Sequence, residues 1–232
     1  MNKRIIKKCK QNLILMGVTF VTVVTATACQ KIDAIGKGSV KSFDKVLNEI
    51  PGNITEDIEN ASWVLNAPDN SAKFIWSQNF KETDYDAKLE FDAAPFLAAG
   101  LDVNQLPVEM VQEDKIVVGI NLGEEELSYE GDVTPLASFE QIVNLKRDNI
   151  GYHTALDHFG VDLMNGNMFE WASDMSANDK DIVFVLNPEV FMAAGVNPEE
   201  VEGWVFAKVE TMDEDGKKIE VEKFLKPFDL KK

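Results

Sequence analysis

Cysteine is nearly absent from this chain of 232 residues, occurring only at Cys9 and Cys29. Cys9 lies among Lys3, Arg4, Lys7, Lys8 and Lys10, ahead of the uncharged run from Leu13 to Val24. A basic n-region, a short apolar h-region and the small residues Ala26-Thr27-Ala28 make a secretory signal peptide cut just before Cys29. Cleavage there removes Cys9, so an internal disulfide is excluded from what remains. The fold must therefore rest on its hydrophobic core, and 45% hydrophobic residues are ample for that. Long apolar runs are lacking too. Leu13 to Ala28 is 16 residues with four threonines, whereas a membrane span needs about 20 mostly apolar residues.

Basic residues are also scarce, 23 against 40 acidic. The leader 1–28 takes five basic and no acidic residues with it. The mature chain keeps 18 basic against 40 acidic residues, a net charge of −22 against −17 for the full sequence. Such a surface repels phosphates and anionic headgroups, which excludes nucleic acid as a partner. Acidic runs such as Glu124-Glu125-Glu126 and Asp213-Glu214-Asp215 read as solvated faces. No phosphate-cradling glycine loop and no serine in a nucleophile elbow occur, and no cofactor is expected.

Ala26-Thr27-Ala28-Cys29, placed after the basic and apolar regions, resembles the processing site of bacterial lipoproteins; the resemblance covers residues 1–30. It departs from the usual pattern in having Ala26 where a branched aliphatic is preferred. The resemblance implies that Cys29 carries the lipid and that no thiol is left for catalysis or metal binding. It also implies an anchor on the extracytoplasmic face of a bacterial membrane, with Gln30 compatible with outer-membrane sorting. Residues 29–40 then read as a linker.

What the chain does contain is an internal repeat. Ser42-Phe43-Asp44-Lys45-Val46-Leu47-Asn48 matches Ser138-Phe139-Glu140-Gln141-Ile142-Val143-Asn144 at an offset of 96. Further on the offset is 95: Phe74 and Trp76 match Phe169 and Trp171, and Phe96, Ala98, Ala99 and Gly100 match Phe191, Ala193, Ala194 and Gly195. Residues 74–100 hold eight identities in 27 ungapped positions, where chance gives about two, so duplication is the economical explanation.

The two copies read together predict an α+β fold. Each unit, 41–126 and 127–232, is expected to run helix, β-hairpin, strand, short helix, strand, and the pair to form one pseudo-symmetric globular domain. Thr134 and Pro135 mark a helix start. Asn165-Gly166 predicts a two-residue turn between strands Phe159 to Met164 and Asn167 to Ala172. Asn187-Pro188 and Gly195 bracket a short second-unit helix.

Few side chains invite chemistry. His153 and His158 are the only histidines, with Asp157 between them. Imidazole and carboxylate are ligands for a metal or partners in acid–base transfer. On a helix, His153 and Asp157 would share a face and His158 would point about 140° away. The equivalent first-unit positions are Asp57 and Ser62, so the histidines belong to the second unit alone. Trp76 and Trp171, each two residues after a phenylalanine, are candidates for aromatic contact with a ligand, although core packing is the favoured reading because large apolar side chains dominate cores. Asp84/Asp86 and Asp179/Asp181 lack the glycine and closing glutamate of a calcium loop.

The expectation is a lipid-anchored, non-enzymatic module that binds a small ligand or an envelope protein, with the seam between the units as the place for a pocket. The alternative is a metal-assisted envelope hydrolase using His153, Asp157 and His158.

Overall fold

The computed structural model describes residues 38–39, 41–46, 52–79, 85–121, 133–145, 149–153, 156–174, 180–212 and 217–230. The leader, Cys29, Asp84, Asp179, the acidic runs and the expected 126/127 boundary lie outside the described residues.

Two six-stranded antiparallel sheets dominate, with few helices between them. Sheet 1 contains β1 (Ile54–Asp57), β2 (Ser62–Asn66), β3 (Ala72–Ser77), β4 (Ala87–Asp92), β5 (Val111–Gln112) and β6 (Lys115–Ile120), in the order β1-β2-β3-β4-β6-β5. Sheet 2 contains β7 (Ile150–His153), β8 (His158–Asp162), β9 (Met168–Ala172), β10 (Ile182–Leu186), β11 (Val205–Met212) and β12 (Lys218–Phe228), in the order β11-β12-β10-β9-β8-β7. Helix α1 covers residues 41–46, α2 Ala94–Ala98, α3 Pro135–Leu145 and α4 Glu189–Ala193.

Strict alternation marks β3 and β4 in sheet 1, whereas β10 in sheet 2 is buried throughout. β3 turns Ala72, Phe74 and Trp76 to one face and Lys73, Ile75 and Ser77 to the other; β4 turns Ala87, Leu89 and Phe91 to one face and Lys88, Glu90 and Asp92 to the other. The chain is nevertheless richer in strand than its sequence suggests. Edge strands β1 and β7 have only four residues each, and β1 has no alternating burial, so no period of two can announce them. The β8–β9 connection also differs from the expected two-residue turn. Met164 joins Asn165 and Gly166 at positive φ, because the Asp162 carboxylate accepts the Met164 N–H at 2.9 Å and turns the chain one residue early. Elsewhere the local signals hold: Thr134 Oγ1 accepts the Ala137 N–H and Asn187 Oδ1 the Glu189 N–H, satisfying donors at the starts of α3 and α4.

The inner faces of the two sheets and the helices enclose one hydrophobic core. Phe74 on β3 stacks on Phe169 on β9, with centroids 3.9 Å apart and planes 5° from parallel. Phe43 on α1 stacks on Phe139 on α3 at 3.8 Å, and Phe96 on α2 packs against Phe191 on α4 at 5.0 Å. The helices also bond across the core. Ser42 on α1 donates to the Ala172 carbonyl of β9 at 2.7 Å, and the Trp76 indole on β3 donates to the Pro135 carbonyl of α3 at 3.1 Å. Beyond α2 and α4 two reciprocal main-chain bonds close the structure: Asp102 N–H to Ala194 and Asn197 N–H to Ala99, both 2.8 Å.

Sheet 2 is covered on its other face as well. Gly151, Gly160, Ala172, Val183 and Val185 share that face by register and are all buried. Among the described residues, no helix is long and apolar enough to cross a membrane.

Candidate functional site

The covered outer face of sheet 2 holds the polar cluster. His153 and His158 are register partners across β7 and β8, so both rings project from the same face, in a strand–turn–strand segment rather than on a helix. The Nδ1 atoms of His153 and His158 lie 3.8 Å and 3.7 Å from the same oxygen, Oε2 of Glu170 on β9. His158 and Glu170 are almost wholly buried, whereas the His153 side chain is 20% exposed. Both nitrogens of His158 and Oε2 of Glu170 are buried without a hydrogen-bond partner. The separations are ion-pair distances, too long for direct hydrogen bonds.

Gly160 makes this convergence sterically feasible. It pairs with Glu170 in the sheet, and a Cβ built there would meet Met168 Cε at 3.0 Å and Glu170 Cγ at 3.2 Å. The missing side chain leaves the glutamate room to lie over β8.

Electrostatics tie the three groups together. The Glu170 carboxylate raises the His153 pKa above its usual value against the opposing effect of burial, with help from the main-chain carbonyl of Glu210 on β11. Burial pushes the Glu170 carboxyl up, but the two imidazoles outweigh it and hold it below the ordinary range. Further along the same face, burial raises Asp162 to about 6 against the Met164 N–H and Lys223. Burial likewise lowers Lys223, opposed by Asp162, Glu189 and Glu170. Lys223 Nζ also donates to the Gly166 carbonyl at 3.0 Å.

Asp157 stands apart from the Glu170 contacts and meets the cluster through a charge interaction with His158. It sits in the β7–β8 turn at φ 54°, where it accepts a hydrogen bond from the Tyr152 hydroxyl. That bond, and a second from Ser173, hold its carboxyl below the usual range. The expected His153/Asp157/His158 set is therefore not assembled. Among the described residues no group of three His, Cys, Asp or Glu is arranged to hold a metal ion.

Trp76 and Trp171 are 0% exposed and pack around Phe43 and Phe139 between the sheets. They are core residues and offer no platform to a ligand. The seam between the sheets is likewise closed by stacked rings, and the histidines lie on the opposite face of sheet 2 from Phe169 and Trp171.

Glu170, Gly160 and Lys223 are the members that histidine counting misses. A signal for two of them does exist in the sequence. Gly160 and Glu170 pair in sheet 2 as Val64 and Ile75 pair in sheet 1, and His153 and His158 pair as Asp57 and Ser62 do. Four departures between the repeats meet at one place. No protein-family model, curated protein or solved structure matches the chain.

Proposed function

We propose that the chain is a lipid-anchored, extracytoplasmic protein of a bacterial envelope, acting as a non-enzymatic module for a small ligand or an envelope protein. The observation that carries the binding part is the placement of His153, His158, Gly160 and Glu170. These four differ from their counterparts Asp57, Ser62, Val64 and Ile75, and they converge on one buried face. Burying the His158 imidazole and the Glu170 carboxylate with unmet hydrogen-bonding capacity costs stability, which a merely structural sheet gains nothing by keeping. The working region is then the β7–β8–β9 end of sheet 2.

We also infer that the chain is a tandem duplication forming one pseudo-symmetric body. Supporting this, equivalent positions meet one another: Phe43 with Phe139, Phe74 with Phe169, and Phe96 with Phe191. Self-contact of equivalent residues is what an isologous interface produces on its two-fold axis.

Two experiments test these readings. Labelling cells with a palmitate analogue should mark the wild-type chain and leave Cys29→Ala unlabelled and released from membranes; equal labelling of both would remove the anchor. A thermal-shift screen of peptides, glycans and metal ions should find a ligand that stabilises wild type but not Glu170→Gln. A hit stabilising both equally would move the binding site elsewhere.

A further inference from the structure

Strand β7 is the weak edge of sheet 2. It has four residues and pairs only with β8. A short edge strand with one neighbour opens at low free-energy cost unless side chains hold it. Asn149, just ahead of β7, donates to the Asp162 carbonyl of β8 at 3.0 Å and Tyr152 to Asp157 in the turn, but the hold that reaches beyond β8 is His153, whose ring lies by Glu170 on β9 and meets the Glu210 carbonyl on β11.

We propose that His153, His158 and Glu170 form a proton-held latch: a proton carried by His153 keeps β7 seated on sheet 2, and its loss lets β7 separate from β8. His153 is the member with access to solvent, so it is where the proton enters and leaves. With the proton present, the buried Glu170 carboxylate has a cation beside it. Without it, two charged groups remain in play. Lys223 on β12 interacts with Glu170 but is shared with Asp162 and Glu189, and burial weakens its own hold on a proton. Asp157 in the turn interacts with His158 and is anionic, so it cannot offset Glu170. The neighbours of Glu170 on β8 and β10, Gly160 and Val183, carry no charge. A buried carboxylate that has lost the cation on His153 and keeps only the His158 imidazole beside it then favours opening, and opening at β7 lets water reach it.

The sign follows from linkage. His153 is raised in the folded state, so its contribution is complete below its ordinary value of 6.5 and is lost as pH rises through the folded-state value. Glu170 is lowered, so its contribution is present above 4.5 and fades as pH falls through the folded-state value. The latch is therefore closed in mildly acidic conditions and loosens above neutral pH. This proposal concerns the same cluster as the binding reading but does not rest on it, because its readout needs no ligand.

Hydrogen-exchange mass spectrometry of the full-length chain in detergent, from pH 5 to 9 with correction for intrinsic rates, tests it. Peptides covering β7 should lose protection relative to those covering β9 and β10 by about tenfold for each unit by which closed and open forms differ in His153 pKa. Glu170→Gln should remove that pH dependence, leaving β7 protection flat. His153→Gln, a change at the more exposed member, should do the same and covers the case in which Glu170→Gln fails to fold. Constant relative protection of β7 in the wild type, or an unchanged pH profile in either folded variant, would overturn the latch.

Discussion

Phe74 and Phe169, 95 positions apart in the sequence, stack within 5° of parallel at 3.9 Å in the middle of the core. Each ring is completely buried, and each also stacks on the tryptophan two residues further along its own strand. The contact therefore joins the two sheets. Replacing either phenylalanine with alanine should cost about 3–5 kcal/mol, the range for large aromatic truncations in cores. The double variant should cost clearly less than the sum, because the first deletion already removes the shared face. Urea unfolding of the four proteins measures this, and additivity would argue that the sheets are energetically separate.

Gly100 and Gly195 face each other where α2 and α4 end. Both have positive φ, +102° and +97°, and a Cβ on Gly100 would lie 2.8 Å from the Gly195 carbonyl oxygen. Gly100→Ala combines left-handed strain with a backbone clash and should destabilise by about 2 kcal/mol or more. Gly52→Ala is the control, since Gly52 has φ +111° with nothing within 4 Å of a built Cβ. It should show the strain alone, and equal losses at the two sites would count against the close approach.

Asp162 gives a second pH dependence in the same direction as the latch. Burial raises it from 3.8 to about 6 in the folded state, so it penalises the fold increasingly as pH rises through that interval. Asp162→Asn keeps an acceptor for the Met164 N–H and removes the charge. Because the residue is only half-buried, the gain at pH 7 should be modest, about 1 kcal/mol. It should vanish below pH 4, and thermal melts across pH 3–8 would reveal a constant offset if the charge were irrelevant.

Gly160→Ala probes the space in which Glu170 lies. The new methyl pushes on Glu170 Cγ and Met168 Cε, moving the carboxylate away from the histidines. The His153 titration midpoint, followed by NMR of the imidazole, should fall towards its ordinary value as the carboxylate withdraws. An unmoved midpoint would show that the carboxylate keeps its place despite the methyl.

Much of the fold was legible wherever a local rule operates. Alternation in Ala72–Ser77 and Ala87–Asp92 marks half-buried strands, Thr134 and Asn187 supply caps, and the repeat tells which weak signals to believe. The edge strands escaped because four residues hold too few periods, and Met164 escaped because a side-chain bond from Asp162 redirected its backbone. At the candidate site, histidine count alone pointed to Asp157, which is close in sequence but held by Tyr152. The true partner, Glu170, lies 12 residues beyond His158, and only strand pairing brings it near. Its mark in the sequence was a charge placed between Phe169 and Trp171 where the first copy has Ile75.

The sequence by itself determined the acidic balance, the resemblance of residues 1–30 to a lipoprotein signal, the matching of residues 95 or 96 positions apart, and the alternating strands of the first sheet. All of these depend on residue type and short-range spacing. Only the tertiary structure decided that the seam is filled with stacked phenylalanines, that Trp76 and Trp171 are core, and that His153, His158 and Glu170 share one buried face. Those outcomes depend on which strand lies beside which and which face turns inward. Both are settled by packing between distant segments, because apolar area is buried and buried polar groups find partners only once the whole chain has closed.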